Sequence, residues 1–536
     1  MKTPSLLRSM LSFSAMTFIS RLLGLVREQV IAAVFGANWA TDAFLVAFRI
    51  PNFMRRLFAE GSFSTAFVPV LTEVKEKRSP AELRNLVSST TGTLGGILLI
   101  VTALGVFGAD QLTTLFAPGA YLEQPEKFRL TADLLRITFP FLMFVSLTAL
   151  AGGVLNSFHR FGLPAVTPVV LNLCMIAAAL WFAPHFAIPI TSLAWAVLVA
   201  GALQLLLQLP SLRALDLLTL PRWGWSHPDV RRILRLMVPT LFGSSVAQVN
   251  LLLDTLIASF LIVGSQTWLG YSDRLLEFPL GVFGVALGTV ILPSLSRHHV
   301  NTDHAGFSRA LDWALRTTLL ICIPATLGLM LLAKPIVATL FQHGRFTAYD
   351  VDMVALSLAA LSFGLPAFAL VKVLAPAFYA RQDTKTPVRA GVAAMIANMA
   401  LNVLFVGTLF ALWRSETGDT GDLLQRIARI PGLHMGIALA SSTASYLNLW
   451  MLWRGLRRDA VYQREPGWGR HVGRLALACL ALVLVIVAGL SIWPEWTTQP
   501  TGVRVGQLCV LIGAGGLTYV AALFATGFRL RDLRAH

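Results

Sequence analysis

The sequence predicts an all-α polytopic membrane protein with about fourteen transmembrane helices. Of its 536 residues, 56% are hydrophobic and only 13% are charged, whereas about a quarter of the residues of soluble domains are charged. Apolar runs of helical length recur along the whole chain, and none alternates as the strands of an outer-membrane barrel do. Basic residues gather in alternate connections between these runs. The predicted spans are centred near residues 23, 47, 97, 143, 173, 199, 248, 281, 320, 365, 398, 443, 482 and 515.

The net charge of +16 indicates membrane topology rather than nucleic-acid binding, because of where the basic residues lie. They follow span two, connect spans six and seven, connect spans ten and eleven, precede span thirteen and close the chain. The intervening connections are neutral, acidic or balanced. Since positive connections stay in the cytoplasm, we expect both termini in the cytoplasm, an even number of spans and anionic lipids as neighbours.

The chain contains a weak internal repeat. RIPNF…FVPVL resembles EFPLG…ILPSL, and GGVLNSFHRFGLP resembles APAFYARQDTKTP, at an offset of about 225 residues. Chance recurrence of proline at helix ends is the alternative explanation. Repeats with a site at their interface are typical of secondary transporters. Three parts are therefore predicted: an N-terminal lobe over 1–226 (spans one to six), a C-terminal lobe over 227–455 (spans seven to twelve), and two additional C-terminal helices over 456–536.

Ionisable residues recur at membrane depth. Asp42, Arg49 and Arg56 are spaced by seven residues, which places them on one stripe of span two. Arg56 with Glu60, and Arg274 with Glu277, have the spacing of helical ion pairs, and a proline at position 51 is expected to kink span two. The full set comprises Arg21, Arg27, Glu28, Asp42, Arg49, Arg55, Arg56, Glu60, Asp273, Arg274, Glu277 and Lys372.

An arginine near the bilayer centre costs about 2.5–3.5 kcal/mol on insertion scales, so five or six facing lipid would cost roughly 15 kcal/mol. Ion pairs that join helices, and snorkelling of Arg55 and Arg56 to the headgroups, are two explanations. A hydrated cationic cavity is the third, and the excess of cations over anions favours it. The guanidinium group suits phosphate and carboxylate because it binds them through parallel hydrogen bonds.

We therefore predict an arginine-lined central cavity for an anionic substrate. The predicted substrate-binding residues are Arg21, Arg27, Arg49, Arg55, Arg56 and Arg274. The predicted ion-pair and gating residues are Glu28, Asp42, Glu60, Asp273, Glu277 and Lys372.

A second polar set lies in spans seven, eleven and twelve: Asp254, Asn398, Asn402 and Ser441. A carboxylate with amide and hydroxyl oxygens can hold Na⁺ or take up a proton. Interhelical hydrogen bonding by asparagine and serine is the equally weighted alternative.

Other features argue against an enzyme. The chain has no P-loop motif, its connections are too short for a catalytic domain, and its ten histidines fall in loops, helix ends or termini. We expect no cofactor. Any energy input is expected from a coupling ion, the membrane potential or the substrate gradient.

Three strings place these features in a known family. SRLLGLVREQVIAAVFGANWATDAFLVAFRIPNFMRRLFAEGSFSTAFVPVL, YSDRLLEFPLGVFGVALGTVILPSLSR and VKVLAPAFYARQDTKTPV resemble the MurJ (MviN) lipid II flippase family of the multidrug/oligosaccharidyl-lipid/polysaccharide exporter superfamily. The resemblance implies two six-helix lobes around a central cavity, with two C-terminal helices bordering a lipid groove. It implies export of lipid II, the undecaprenyl-pyrophosphate-linked peptidoglycan precursor, across the bacterial inner membrane by alternating access. Other cell-wall synthesis proteins are expected as partners.

The resemblance also assigns roles to individual residues. The family's cavity positions match Arg21, Arg27, Asp42, Arg55, Arg274 and Glu277. Arg49 stands where close relatives can carry lysine. Some relatives bind Na⁺ where Asp254, Asn398, Asn402 and Ser441 match, but Asn402 replaces an expected acid.

Two rival functions differ in what they require. A polymerising enzyme or scaffold would need an outer acid or metal site, for which the outer connections offer only scattered carboxylates such as Asp110 and Glu126. A drug exporter of the same superfamily would favour a carboxylate-rich cavity for cationic substrates.

Overall fold

The computed structural model describes residues 6–56, 63–119, 124–413 and 423–529. Within these ranges the chain forms twenty α-helices and no strand, which confirms the all-α prediction. The helices divide between two compact units, residues 1–263 and 264–536.

The N-terminal unit contains ten helices in the described residues. They are α1 (Leu6–Phe35), α2 (Trp39–Arg55), α3 (Ser64–Lys77), α4 (Pro80–Phe107), α5 (Ala109–Phe116), α6 (Pro125–Thr138), α7 (Phe141–Ser157), α8 (Gly162–Ala177), α9 (Thr191–Arg213) and α10 (Pro228–Ala258). A π-helical turn (Ala178–Phe182) and a 3₁₀ turn (Ala183–His185) extend α8.

The C-terminal unit contains the other ten helices of the described residues. They are α11 (Ser265–Val300), α12 (His304–Leu331), α13 (Ala333–Phe341), α14 (Ala348–Phe363), α15 (Leu365–Tyr379), α16 (Lys385–Trp413), α17 (Leu423–Ile427), α18 (His434–Arg458), α19 (Trp468–Ile492) and α20 (Thr501–Ala525).

Nine helical stretches of the described chain are long and apolar enough to cross a membrane. They are Pro80–Phe107, Pro125–Ser157, Gly162–His185, Thr191–Arg213, His304–Leu331, Ala348–Tyr379, Lys385–Trp413, Trp468–Ile492 and Thr501–Ala525. The five other predicted spans correspond to α1, α2, α10, α11 and α18. These five helices carry most of the polar residues predicted to be functional.

Local sequence explains where several helices begin. The Asn38 side chain accepts hydrogen bonds from the backbone N–H groups of Ala40 and Thr41 and so caps α2. Ser79 and Glu82 form a capping box at the start of α4. Pro51 lies inside α2, near its C-terminal end.

The two segments that resemble each other across the repeat form similar turns. His159, between α7 and α8, and Gln382, between α15 and α16, both have positive φ, of 59° and 61°. Each lies five residues before a proline, Pro164 or Pro387, in the first turn of the following helix. The two polar turns therefore share one left-handed residue at the same distance from a proline.

The division into units differs from the sequence partition in one respect. Helix α10, which the sequence assigns to the second lobe, packs against α3 and α4 in the N-terminal unit. Its Asp229 accepts a hydrogen bond of 2.8 Å from Arg78, just after α3. The functional boundary near residue 226 stays a prediction.

Within the C-terminal unit, the helix pair α19 and α20 packs against α12 and α13, and a buried polar joint connects α12 with the start of α19. We call Asp312, Arg316, Tyr462 and Trp468 the joint. The Asp312 carboxylate is 3% exposed, and one of its oxygens accepts hydrogen bonds of 2.7 Å from the Tyr462 hydroxyl and from Trp468 Nε1. Its other oxygen lies 2.7 Å from Arg316 Nε. The connection before α19 is therefore fastened to α12.

Candidate substrate-binding residues

Arg27 is buried within α1, as expected for a cation that faces protein at membrane depth. Its Nη1 donates a hydrogen bond of 2.9 Å to Oδ1 of Asn172 on α8, and its Nη2 contacts the Glu28 carboxylate. Asn172 in turn donates to the backbone carbonyl of Ser20 at 3.1 Å. Arg21, two helical turns earlier, is exposed.

The arginines of α2 contact α10 in matching register. Arg49 Nη1 donates a hydrogen bond of 2.5 Å to Thr255 Oγ1, and Arg56 Nη1 lies 3.4 Å from Gln248 Oε1. Both pairs are seven residues apart, so one stripe of α2 meets one stripe of α10 in antiparallel order. Arg55 donates within its own helix to Asn52 Oδ1, at 2.9 Å.

Asp42 was predicted on the same stripe as these arginines, but it contacts a different helix. Its carboxylate pairs with Lys127 Nζ of α6 at 3.2 Å, and both side chains are buried. Lys127 directly follows Glu126, which the sequence predicts in an outer connection, whereas the structure places both residues in α6. Asp42 therefore belongs to a buried ion pair inside the N-terminal unit.

In the C-terminal unit, Arg274 and Glu277 form the ion pair that their i,i+3 spacing predicts. The distance from Arg274 Nη1 to Glu277 Oε2 is 3.1 Å, and both side chains are exposed. Asp273 beside them is half-buried, and Lys372 on α15 is exposed. Glu60 lies outside the described residues.

The residues proposed for a coupling ion divide between the two units. In the C-terminal unit, Asn398 and Asn402 are buried on one face of α16, and Ser441 Oγ of α18 lies 3.4 Å from Asn398 Oδ1. In the N-terminal unit, Asp254 accepts a hydrogen bond of 3.3 Å from Asn250, one turn earlier on α10. The three side chains in the C-terminal unit are neutral, and Asp254 is the one acidic residue of the predicted set. A single ion site formed by these three residues together with Asp254 stays a prediction.

Comparisons with known proteins agree with one another across the chain. The family model described as "Lipid II flippase MurJ" matches residues 31–413. A "Probable lipid II flippase MurJ" of Vibrio cholerae is 45% identical, with 99% of this chain and 98% of that protein covered. The "Lipid II flippase MurJ" of Burkholderia cenocepacia is 42% identical, with 99% of each covered.

The chain belongs to the MurJ lipid II flippase family.

Solved structures extend this result to the fold. A structure described as "Lipid II flippase MurJ, inward closed conformation" has a TM-score of 0.76 and 27% identity, covering 95% of this chain and 97% of that one. A multidrug resistance MATE family transporter matches with a TM-score of 0.66 at 13% identity, covering 84% of this chain and 98% of that one. At that identity the match concerns the fold alone. The predicted family, the multi-pass membrane fold and the transporter class are confirmed.

Sequence reasoning missed the partners of the predicted MurJ-family residues. Asn172, Gln248, Thr255 and Lys127 hold Arg27, Arg56, Arg49 and Asp42 respectively. A signal existed for two of them, because Gln248 and Thr255 repeat the seven-residue spacing of the α2 arginines. Asn172 and Lys127 lie 145 and 85 residues from their partners, and nothing in their local sequence marks them.

Proposed function

We propose that this chain moves lipid II from the inner to the outer leaflet of the cytoplasmic membrane. Its membership of the MurJ family over essentially its full length supports this activity. The substrate is anionic through its pyrophosphate and peptide carboxylates. A transporter for such a substrate needs cations at membrane depth that do not face lipid.

The observation that carries the proposal is the placement of arginines on the less apolar helices. Arg27 and Arg49 lie within α1 and α2, two of the predicted spans, and Arg56 directly follows α2. They contact amide and hydroxyl oxygens of Asn172, Thr255 and Gln248, and Arg27 also contacts the Glu28 carboxylate. These contacts orient the guanidinium groups, and an oriented guanidinium can bind a phosphate through parallel hydrogen bonds. Arg21, Arg55 and Arg274 complete the proposed set.

Transport would proceed by alternating access, in which the two lobes move relative to a cavity that opens to each side in turn. Glu277 is suited to gating, because an exposed ion pair with Arg274 is weak enough to exchange for substrate. Asp42 is less suited to this role than the sequence indicated, since its pair with Lys127 is buried. Breaking a buried pair costs several kcal/mol, about 3–5.

The orientation and energy source belong to the same proposal. The positive charge of alternate connections supports a cytoplasmic location for both termini of a bacterial inner-membrane protein. Anionic lipids and other cell-wall synthesis proteins are further proposed partners. Na⁺ or a proton at Asp254, Asn398, Asn402 and Ser441 remains a candidate coupling ion, beside the membrane potential.

Replacement of Arg21 is the sharpest test, because this side chain is exposed and makes no ion pair within the described residues. In proteoliposomes we expect Arg21→Ala to slow translocation of fluorescent lipid II by at least about tenfold, the loss of one charge-assisted contact to phosphate. Arg21→Lys should retain part of the rate. A cationic dye should not be transported by any form.

Arg309→Ala is the matched control, since Arg309 is an exposed arginine on α12 outside the proposed set. Its variant should transport lipid II at the normal rate. Arg274→Ala and Arg274→Lys extend the test to the C-terminal unit. Normal lipid II transport by both alanine variants, Arg21→Ala and Arg274→Ala, would refute the arginine cavity.

A further inference from the structure

Residues 217–226, which we call the strap, run along α4 instead of leading directly from α9 to α10. Three hydrogen bonds hold the strap to this helix. The Arg222 N–H donates to the Ser88 carbonyl at 3.1 Å, and the Ser88 hydroxyl donates to the Leu220 carbonyl at 2.5 Å. The Gly224 N–H donates to Thr93 Oγ1 at 3.0 Å. The strap is therefore a fixed part of the surface.

Two glycines of α4 make room for the strap. A Cβ at Gly92 would lie 2.1 Å from the Arg222 carbonyl oxygen, and a Cβ at Gly96 would lie 2.5 Å from the Trp223 ring. Gly95, on another face of the same helix, has nothing within 4 Å. Glycines four residues apart share one face, so α4 has a seat shaped for this segment.

The strap presents large apolar side chains outward although its backbone is fixed. Leu220 is 85% exposed, Trp223 62% and Trp225 49%. The two tryptophan rings are stacked, with centroids 6.2 Å apart. An exposed aromatic and aliphatic patch is unfavourable in water, and tryptophan concentrates at the membrane–water interface.

The strap lies at the depth where such an interface is expected. Helix α4 begins with the polar sequence PAELRNLVSSTTGT and continues with the apolar LGGILLIVTALGVF. With a rise of 1.5 Å per residue, Gly92 lies about 18 Å and Gly96 about 24 Å from the start of the helix. The strap thus follows α4 across its change from polar to apolar.

Charge on this surface is unevenly balanced. Arg78 pairs with Asp229, and two further arginines nearby are also paired with acids: Arg84 with Asp216 and Arg232 with Glu73. Arg222 and Arg231 are exposed and form no ion pair within the described residues. Arg231 Nε donates to the Trp225 carbonyl at 3.0 Å, which places its guanidinium beside the tryptophan pair.

We propose that the strap binds the headgroup of an anionic phospholipid in the cytoplasmic leaflet. Leu220, Trp223 and Trp225 would lie at the boundary between headgroups and acyl chains, while Arg222 and Arg231 bind the lipid phosphate. The inference rests on the proposed cytoplasmic placement of this connection. It does not depend on lipid II transport, so failure of one leaves the other intact.

A fluorescent label on the strap tests its contact with lipid. Cys174, Cys322, Cys479 and Cys509 are first replaced by alanine, and Leu220→Cys is labelled with bimane in nanodiscs. We expect quenching by a lipid with a nitroxide on its headgroup and protection from aqueous iodide. Lys77→Cys, on the exposed end of α3, is the aqueous control, and Leu104→Cys, on the apolar part of α4, is the acyl-chain control.

The anionic preference is tested by varying the phosphatidylglycerol content of phosphatidylcholine nanodiscs and following the label's emission. Replacing Arg222 and Arg231 by glutamine should weaken the apparent affinity about fivefold for each arginine. The double variant Arg84→Gln/Asp216→Asn removes an arginine without changing net charge and should behave as the parent. Inorganic phosphate should not compete.

Each contrary result overturns a stated part of the inference. Iodide quenching at Leu220→Cys without nitroxide quenching means that the strap faces water. Lipid contact with no dependence on phosphatidylglycerol means that no anionic site exists. Competition by inorganic phosphate means that the arginines bind a soluble anion instead.

Discussion

The strap and the joint both contain arginine and tryptophan, but the side chains of these residues face opposite ways in the two regions. In the strap, Trp223 and Trp225 face outward and Arg222 makes no ion pair within the described residues. In the joint, Trp468 donates to Asp312, and Arg316 lies against both the carboxylate and the indole ring, 5.2 Å from its centroid. The strap presents its tryptophans to the surroundings, whereas the joint uses Trp468 to fasten the start of α19 to α12.

A buried carboxylate accounts for the difference. Asp312 gives the indole N–H, a tyrosine hydroxyl and a guanidinium a common acceptor away from water, so these groups turn inward. Within the described residues, no carboxylate of α4 forms a hydrogen bond with the strap. The strap is held instead by its hydrogen bonds to α4 and by close packing against Gly92 and Gly96. Tryptophan and arginine in a connection between helices therefore do not by themselves indicate a lipid-facing surface.

Asp312→Asn should produce the largest change, because it removes the acid on which the joint depends. Arg316 would keep its charge in a half-buried position without a counterion, and the loss of stability should be about 3 kcal/mol. Thermal unfolding in detergent measures it. Asp459→Asn is the control, since the Asp459–Arg381 pair is more exposed and should contribute less than about 1 kcal/mol. Equal losses of stability in the two variants would show that the Asp312 contacts contribute no more than an exposed ion pair.

Gly92→Ala should have the next largest effect. Its added methyl group would meet the Arg222 backbone, which cannot rotate away, so the strap must shift at a cost of about 2 kcal/mol. Gly95→Ala on the same helix has open space and should be neutral or stabilising by up to about 1 kcal/mol. Unfolding midpoints of both variants, measured in the same detergent, give the comparison. Effects of the same sign and size would mean that the strap does not rest on Gly92.

The sequence was sufficient to predict the fold class and to identify the helices that carry charged residues. Composition and the length of the apolar runs predict a helical membrane protein, and the sequence shows directly which predicted spans contain charged residues. Pairs with helical spacing, such as Arg274 and Glu277, were also predictable.

Long-range partners were not predictable, for physical reasons. Arg27 had to be shielded from lipid, but any amide or acid on a neighbouring helix could have served, and only packing selects Asn172. Asp312 and Arg316 have the spacing of an ordinary surface pair, so the sequence gives no sign of the buried joint. The Lys127 partner of Asp42 was not predictable either, because it lies on α6, 85 residues away in the sequence.

Tyr462→Phe should destabilise the joint by about 1.5 kcal/mol, the value of a hydrogen bond to a charged acceptor. Burial, reinforced by Asp312, raises the pKa of Tyr462 above its ordinary value. A tyrosine with a raised pKa in the folded state stabilises the protein below about pH 10, where the unfolded tyrosine starts to ionise. This contribution decreases as the pH rises from about 10 towards the raised pKa of the folded state.

The unfolding midpoint of the parent should therefore fall more steeply than that of Tyr462→Phe as the pH rises above 10. The difference between the two proteins isolates Tyr462 from the other tyrosines. Parallel pH profiles would contradict the assignment of the Asp312 contact to this hydroxyl.

Trp468→Phe and Trp225→Phe form the finest comparison between the two connections. Trp468→Phe loses one hydrogen bond to Asp312 and should lower stability in detergent by about 1 kcal/mol. Trp225→Phe loses no recorded side-chain hydrogen bond and should leave stability in detergent unchanged, since its ring faces outward. In nanodiscs only Trp225→Phe should shift the emission of a bimane label at Leu220→Cys. Altered lipid contact in Trp468→Phe, or altered stability in detergent in Trp225→Phe, would contradict these roles. The first result requires Trp468 to face the surroundings, and the second requires Trp225 to pack inside the protein.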